Sequence, residues 1–141
     1  MHGTGRIIFD INYTNFAWGY KNQGIIIDDQ GIILKYTIST PLSPNDLTTK
    51  FRNSHIVDRI PRQLHQKLIQ LAQQIRSINI SSLTSIGADI GSTTGNIYMI
   101  DGSNNIVKTI KLYQRGDRGG NNDDPAAVEI NSLLAPYDSL V

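Results

Sequence analysis

Hydrophobic and polar positions alternate from the start of the chain. Ile7, Phe9, Ile11 and Tyr13 fall on one side, and Arg6, Asp10 and Asn12 on the other, which predicts a strand over 6–13 with one buried face. Phe16-Ala17-Trp18-Gly19-Tyr20 predicts a second, short strand. Gly24 to Asp28, a turn through Asp29-Gln30-Gly31, and Ile32 to Ile38 predict a hairpin, with Gly31 closing a type I turn in the manner of a G1 bulge. On the return strand Ile32, Leu34, Tyr36 and Ile38 share a direction, opposite to Lys35 and Thr37.

After Pro41 the period changes. Ser43-Pro44 predicts the N-cap and first residue of a short helix running to about Phe51, and His55 to Ile60 reads as extended. Pro61 then opens the main helix, to about Ile78. Leu64, Leu68, Leu71, Ala72, Ile75 and Ile78 recur at three- and four-residue spacing and form one apolar stripe. Residues 83–90 are a weaker strand candidate. A second hairpin follows, from Asn96 to Ile100, through a turn at 101–105, and back over Ile106 to Tyr113. Residues 114–122 read as a polar loop. Asp124-Pro125 predicts the N-cap and first residue of a last helix to about Ala135, with Ala126, Ala127, Ile130, Leu133 and Leu134 on its apolar side. Strands, helix, strands, helix, with hairpins as the units, predict an α+β domain: an antiparallel sheet with the main helix and the C-terminal helix on one face.

Composition narrows the possibilities. With 141 residues the chain suits a single globular domain over 1–141, of which 1–5 read as flexible or a remnant. There is no cysteine, so disulfide and thiolate chemistry are excluded. A net charge of +1 argues against a dedicated nucleic-acid binder. No apolar run reaches the ~20 residues that span a bilayer. No h-region follows Met1, so the chain reads as cytoplasmic as it stands, or as exported if a signal segment has been removed. The 22 Ile against 4 Val mark coding bias, whereas the 11 Asp against one Glu bear on chemistry.

Gly87-Ala88-Asp89-Ile90-Gly91-Ser92-Thr93-Thr94-Gly95 resembles the first phosphate loop of the actin and sugar-kinase superfamily. Only 50 residues follow Gly91, too few for the second lobe of that fold, so a tight turn is the better reading. Arg115-Gly116-Asp117 matches the integrin tripeptide, but three letters in a polar loop carry little weight. Asp28-Asp29 and Asp123-Asp124 lack the alternation of a calcium loop, and Asp29 and Asp124 serve better as turn and cap. His2, His55 and His65 have no zinc spacing, and no G-x-S-x-G nucleophile turn occurs. No metal or cofactor is expected. Once turns and caps have taken their share of the aspartates, Asp89, Asp117, Asp10 and Asp58 remain unassigned.

Three stretches together resemble a family of small uncharacterised bacterial proteins, often secreted or lipid-anchored. They are Phe16 to Gly24 running into the 28–31 turn; Ala88 to Thr94 with Tyr98 and Asp101; and Lys111 to Asp117 with Asn122, Pro125-Ala126-Ala127 and Leu133-Leu134. Relatives often carry a Trp-Leu pair where this chain has Leu133-Leu134. The resemblance implies no activity. It does imply that Asp89, Gly91, Gly116, Asp117 and Asn122 belong together, with their loops meeting at one end of the sheet.

The expected function is a non-catalytic binding or interaction module, with a protein as partner. Its candidate residues are Asp89, Gly91, Gly116, Asp117 and Asn122, joined by Trp18 and Tyr20, because loops on a well-patterned scaffold commonly carry function. The alternatives are a small hydrolase with an Asp- or Ser-based centre at the 87–95 and 114–122 loops, or an inhibitor or immunity-type protein that presents a rigid loop.

Overall fold

The structure, a computed structural model, describes residues 5–15, 19–40, 46–80, 84–85, 91–116 and 118–141, with only the backbone described at 84, 85 and 118. One antiparallel sheet dominates. Its strands are β1 (Arg6–Asn15), β2 (Lys21–Ile27), β3 (Ile32–Thr37), β4 (Ser54–Arg59), the two-residue β5 (Thr84–Ser85), β6 (Ser92–Ile100), β7 (Ile106–Gly116) and β8 (Arg118–Asn121). They lie in the order β4-β3-β2-β1-β6-β7-β8-β5. The helices are α1 (Leu47–Arg52), α2 (Arg62–Gln74) and α3 (Pro125–Leu134), followed by a 3-10 segment, Ala135–Leu140.

The order follows from the turns. Asp28 accepts from the backbone N–H groups of Gln30 and Ile32, and this fixes the β2–β3 hairpin. Asp101 does the same for Ser103 and Asn105 in the β6–β7 hairpin. β1 lies between the two hairpins, bonded to β2 on one side and β6 on the other.

A central strand has two faces to bury, and the alternation in β1 serves both. Phe9 and Ile11 join Ile25, Ile27, Ile33, Ile97 and Ile110 beneath α2 and α3. The stripe of α2 enters this core through Leu68, Leu71 and Ala72, and Ile75 joins them just beyond the helix. α3 adds Ala126, Ala127, Ile130 and Leu134. The opposite face is covered by α1, where Ile8, Ile26, Tyr36, Ile38, Leu47 and Ile100 form a second, smaller cluster.

Several expectations are corrected. The polar side of β1 is not solvated: Asp10 is 1% exposed and Asn12 6%. Asp46, not Ser43, caps α1, accepting from Thr49 N at 2.8 Å. The main helix stops at Gln74; Ile75 is extended yet still buried, and Ile78 lies exposed. Residues 114–122 are largely strand, because β7 continues to Gly116 and β8 returns against it. The cap at Asp124 and the start of α3 at Pro125 stand as the sequence predicts. Among the described residues no helix is long and apolar enough to cross a membrane.

Candidate functional site

The end of β1, the start of β2, the start of β6 and the end of β7 meet at one end of the sheet. Asn15 pairs with Lys21, Thr14 with Ser92, and Ser92 with Gly116. Gly91 and Gly116 both have positive φ, at 81° and 121°. A Cβ on Gly116 would strike the Gly91 carbonyl, so the two segments approach back to back at a distance only glycine permits. The two glycine-bearing segments therefore do meet. Asp89, Asp117 and Trp18 lie outside the described residues.

Just inside this end, register lines up four side chains across four strands on the α2/α3 face. Gln23 pairs with Tyr13, Tyr13 with Thr93, and Thr93 with Arg115. With Asp138 and Val141 they line a cleft of about 240 Å³. Arg115 reaches Asp138 at 3.3 Å in a largely exposed pair, and its guanidinium lies 4.3 Å from the centre of the Tyr113 ring. Tyr13 accepts from Asn15 Nδ2 at 3.0 Å. Two further side chains hold the 3-10 segment. Gln23 Nε2 donates to Val141 O at 2.9 Å, and Lys35 Nζ donates to Leu140 O at 2.6 Å and to Val141 O at 3.0 Å.

Tyr113 is 3% exposed, and its hydroxyl has no hydrogen-bond partner among the described residues. Burial, with Asp138 nearby, pushes this phenol up to about 12.

Tyr20 belongs to a different group, on the α1 face. Asn22 Nδ2 donates to its hydroxyl at 3.0 Å, and Asn12 Nδ2 donates to Asn22 Oδ1 and to Tyr36 OH, both at 2.7 Å. Tyr36 in turn donates to Asp10 Oδ1 at 2.8 Å, while Lys50 Nζ lies 2.6 Å from Asp10 Oδ2. The ion pair is closed to solvent, with side chains 5% and 0% exposed. Burial raises the Asp10 carboxyl above its ordinary value, and the Lys50 charge and the two hydrogen bonds only partly offset it. Tyr36 is raised strongly for the same reason, burial first and the Asp10 charge second. Tyr98, also on this face, is pushed up to about 12, again mainly by burial. This chain of polar groups runs from the interior to the half-buried Tyr20, but α1 closes it over, so it offers no open surface.

Asn122 is fully buried. Its amide donates to Ser77 O at 2.6 Å and Lys111 O at 3.0 Å, and its oxygen accepts from Asp124 N at 3.0 Å. These bonds fasten the β8–α3 junction to the end of α2. Among the described residues no group of three or more His, Asp or Glu gathers to hold a metal ion.

Sequence reading did not find Tyr13, Gln23, Thr93, Arg115 and Asp138 as a group. Nothing local marks them, and only the pairing of four strands brings them into one row. Compared with known protein families, curated proteins and solved structures, the chain matches none.

Proposed function

We propose that the protein is a non-catalytic binding module that holds a protein partner at the loop end of its sheet. One observation carries this reading. Gly91 and Gly116 hold two glycine-bearing segments together beside a cleft lined by the polar side chains of Tyr13, Gln23, Thr93 and Arg115 on four strands. Side chains seated on paired strands start with limited freedom, which lowers the entropic cost of association. Membership of the family of small uncharacterised bacterial proteins, often secreted or lipid-anchored, is part of the same proposal. Two of the three stretches that carry the resemblance, around 92–94 and 111–116, lie side by side as β6 and β7, which supports reading them as one unit.

The test is site-specific photo-crosslinking in cells. A photoreactive residue replaces Thr93 in the cleft or, as control, Ser103 in the distant β6–β7 turn. The expected result is a discrete adduct from position 93 that is absent from position 103 and lost when Arg115→Ala is added. Identical adducts from both positions, or none from position 93, would overturn the reading.

A further inference from the structure

Residues 135–141 are attached to the sheet mainly by polar side chains. The 3-10 segment Ala135–Leu140 contributes no buried residue, whereas the preceding helix α3 buries four. Tyr137, Leu140 and Val141 rest half-buried against the core. The firm attachments come from sheet side chains that grip this segment's main-chain oxygens and its acidic side chain, Asp138. Lys35 of β3 takes Leu140 O and Val141 O, Gln23 of β2 takes Val141 O, and Arg115 of β7 takes Asp138. About 240 Å³ beside the segment stays unfilled.

This is the chemistry of peptide recognition. Backbone acceptors meet fixed donors, a side-chain carboxylate meets a guanidinium, and two apolar residues rest in shallow seats. We propose that the sheet surface presenting Gln23, Lys35 and Arg115 is a peptide-binding groove, and that residues 135–141 occupy part of it in cis and wall off the open cleft beside them. The external ligand is a peptide segment of a partner protein with an acidic residue two positions before a pair of aliphatic residues. This inference rests on the binding-module reading and names the ligand of that same sheet end. The cis segment lowers apparent affinity by the fraction of time it holds the groove. Its exposed ion pair and half-buried side chains make it displaceable.

The test uses the full chain and a fluorescein-labelled peptide with the sequence of residues 135–141, with binding followed by fluorescence anisotropy. Asp138→Lys places a positive charge against Arg115 and releases the cis segment. The expected result is affinity about three- to tenfold tighter than for the unaltered chain, from loss of an exposed pair and gain of a like-charge contact. Adding Lys35→Ala to that variant weakens binding again, and a peptide with lysine in place of its aspartate does not bind. Thermal unfolding confirms that each variant is folded, and Asp138→Ala serves if the lysine variant is not. Equal affinity for the unaltered chain and the Asp138 variants, or no loss on adding Lys35→Ala, overturns the proposal. If the peptide fails while the position-93 adduct persists, only the ligand assignment falls; if both fail, the binding-module reading falls with it.

Discussion

Two tyrosines lie across two glycines on opposite faces of the same sheet. On the α1 face Tyr36 of β3 passes over Gly24 of β2, so that its hydroxyl reaches β1. On the α2/α3 face Tyr113 of β7 passes over Gly95 of β6 toward the same strand. In both cases a missing Cβ makes room for a ring. The outcomes differ in polarity. Tyr36 finds Asp10 and Asn12, and through them Lys50, Asn22 and Tyr20. The Tyr113 hydroxyl has no hydrogen-bond partner among the described residues, and Arg115 lies over its ring. Tyr36 is thus fixed by directional bonds and Tyr113 by packing, and substitutions should separate the two.

The largest effect belongs to the buried ion pair. Lys50→Met leaves the Asp10 carboxylate in the interior without its cation and should destabilise the fold by about 3–5 kcal/mol, read by denaturant unfolding. Lys50→Met combined with Asp10→Leu should recover most of that loss, since two apolar groups can replace a buried pair at little cost. If the double variant is no better than the single one, the pair contributes more than mutual neutralisation, and the α1 face depends on it for its geometry.

Gly24→Ala and Gly95→Ala come next. At Gly24 a Cβ would strike the Ile11 carbonyl as well as the Tyr36 hydroxyl at 2.5 Å; at Gly95 it would meet only the Tyr113 ring, also at 2.5 Å. Backbone yields less than a ring edge. Both variants should lose about 1–3 kcal/mol in thermal or denaturant unfolding, with Gly24→Ala the worse. The reverse order would mean that the Tyr113 ring is held more rigidly than its lone hydroxyl suggests.

Removing the hydroxyls gives the sharpest contrast. Tyr36→Phe takes away a donor to a carboxylate and an acceptor for Asn12, and should cost about 1.5–3 kcal/mol. Tyr113→Phe removes a buried hydroxyl that has no partner, and should be neutral or slightly stabilising. Equal losses would show that Tyr113 has a partner as firm as Asp10.

The α2/α3 face was legible in the sequence and the α1 face was not, for a physical reason. Ile7, Phe9 and Ile11, the stripe from Leu64 to Ile75, and the Asp124-Pro125 cap all declare themselves within a window of a few residues. Asp10 and Asn12 also follow the strand period, but polar residues at that period ordinarily mean solvent. What buries them is Tyr36 and Lys50, 26 and 40 residues away from Asp10, and no local pattern encodes that meeting. At the candidate site, Gly91 and Gly116 were grouped by the family resemblance alone, and their positive φ and close approach emerge only from the fold. The row Gln23, Tyr13, Thr93 and Arg115 was not legible, because it exists only once four strands are in register. Residues 114–122 misled for a related reason: three glycines signal a loop, yet Gly116 ends β7 and β8 uses Gly119 and Gly120 in a short strand.

The smallest effect is one of pH, and it has opposite signs in the two regions. At Asp124, backbone N–H groups of Arg76, Ala126 and Ser77 hold the carboxyl below its ordinary value. Its contribution to stability is present above the unfolded carboxylate value, near 3.9, and is lost as pH falls through the lower folded value. At Asp10 the folded value is raised by burial, so the fold prefers the protonated form. Its contribution is present below the unfolded value and is lost as pH rises through the folded one. A thermal-unfolding series from about pH 2 to 7 should therefore respond oppositely to two substitutions. Asp124→Asn should flatten the fall in melting temperature on the acid side. Asp10→Leu with Lys50→Met should remove a decline on the side toward neutrality. Should both substitutions flatten the same limb, the Asp10 carboxyl is held low by Lys50 rather than high by burial, and the α1 face is governed by its charges more than by its dryness.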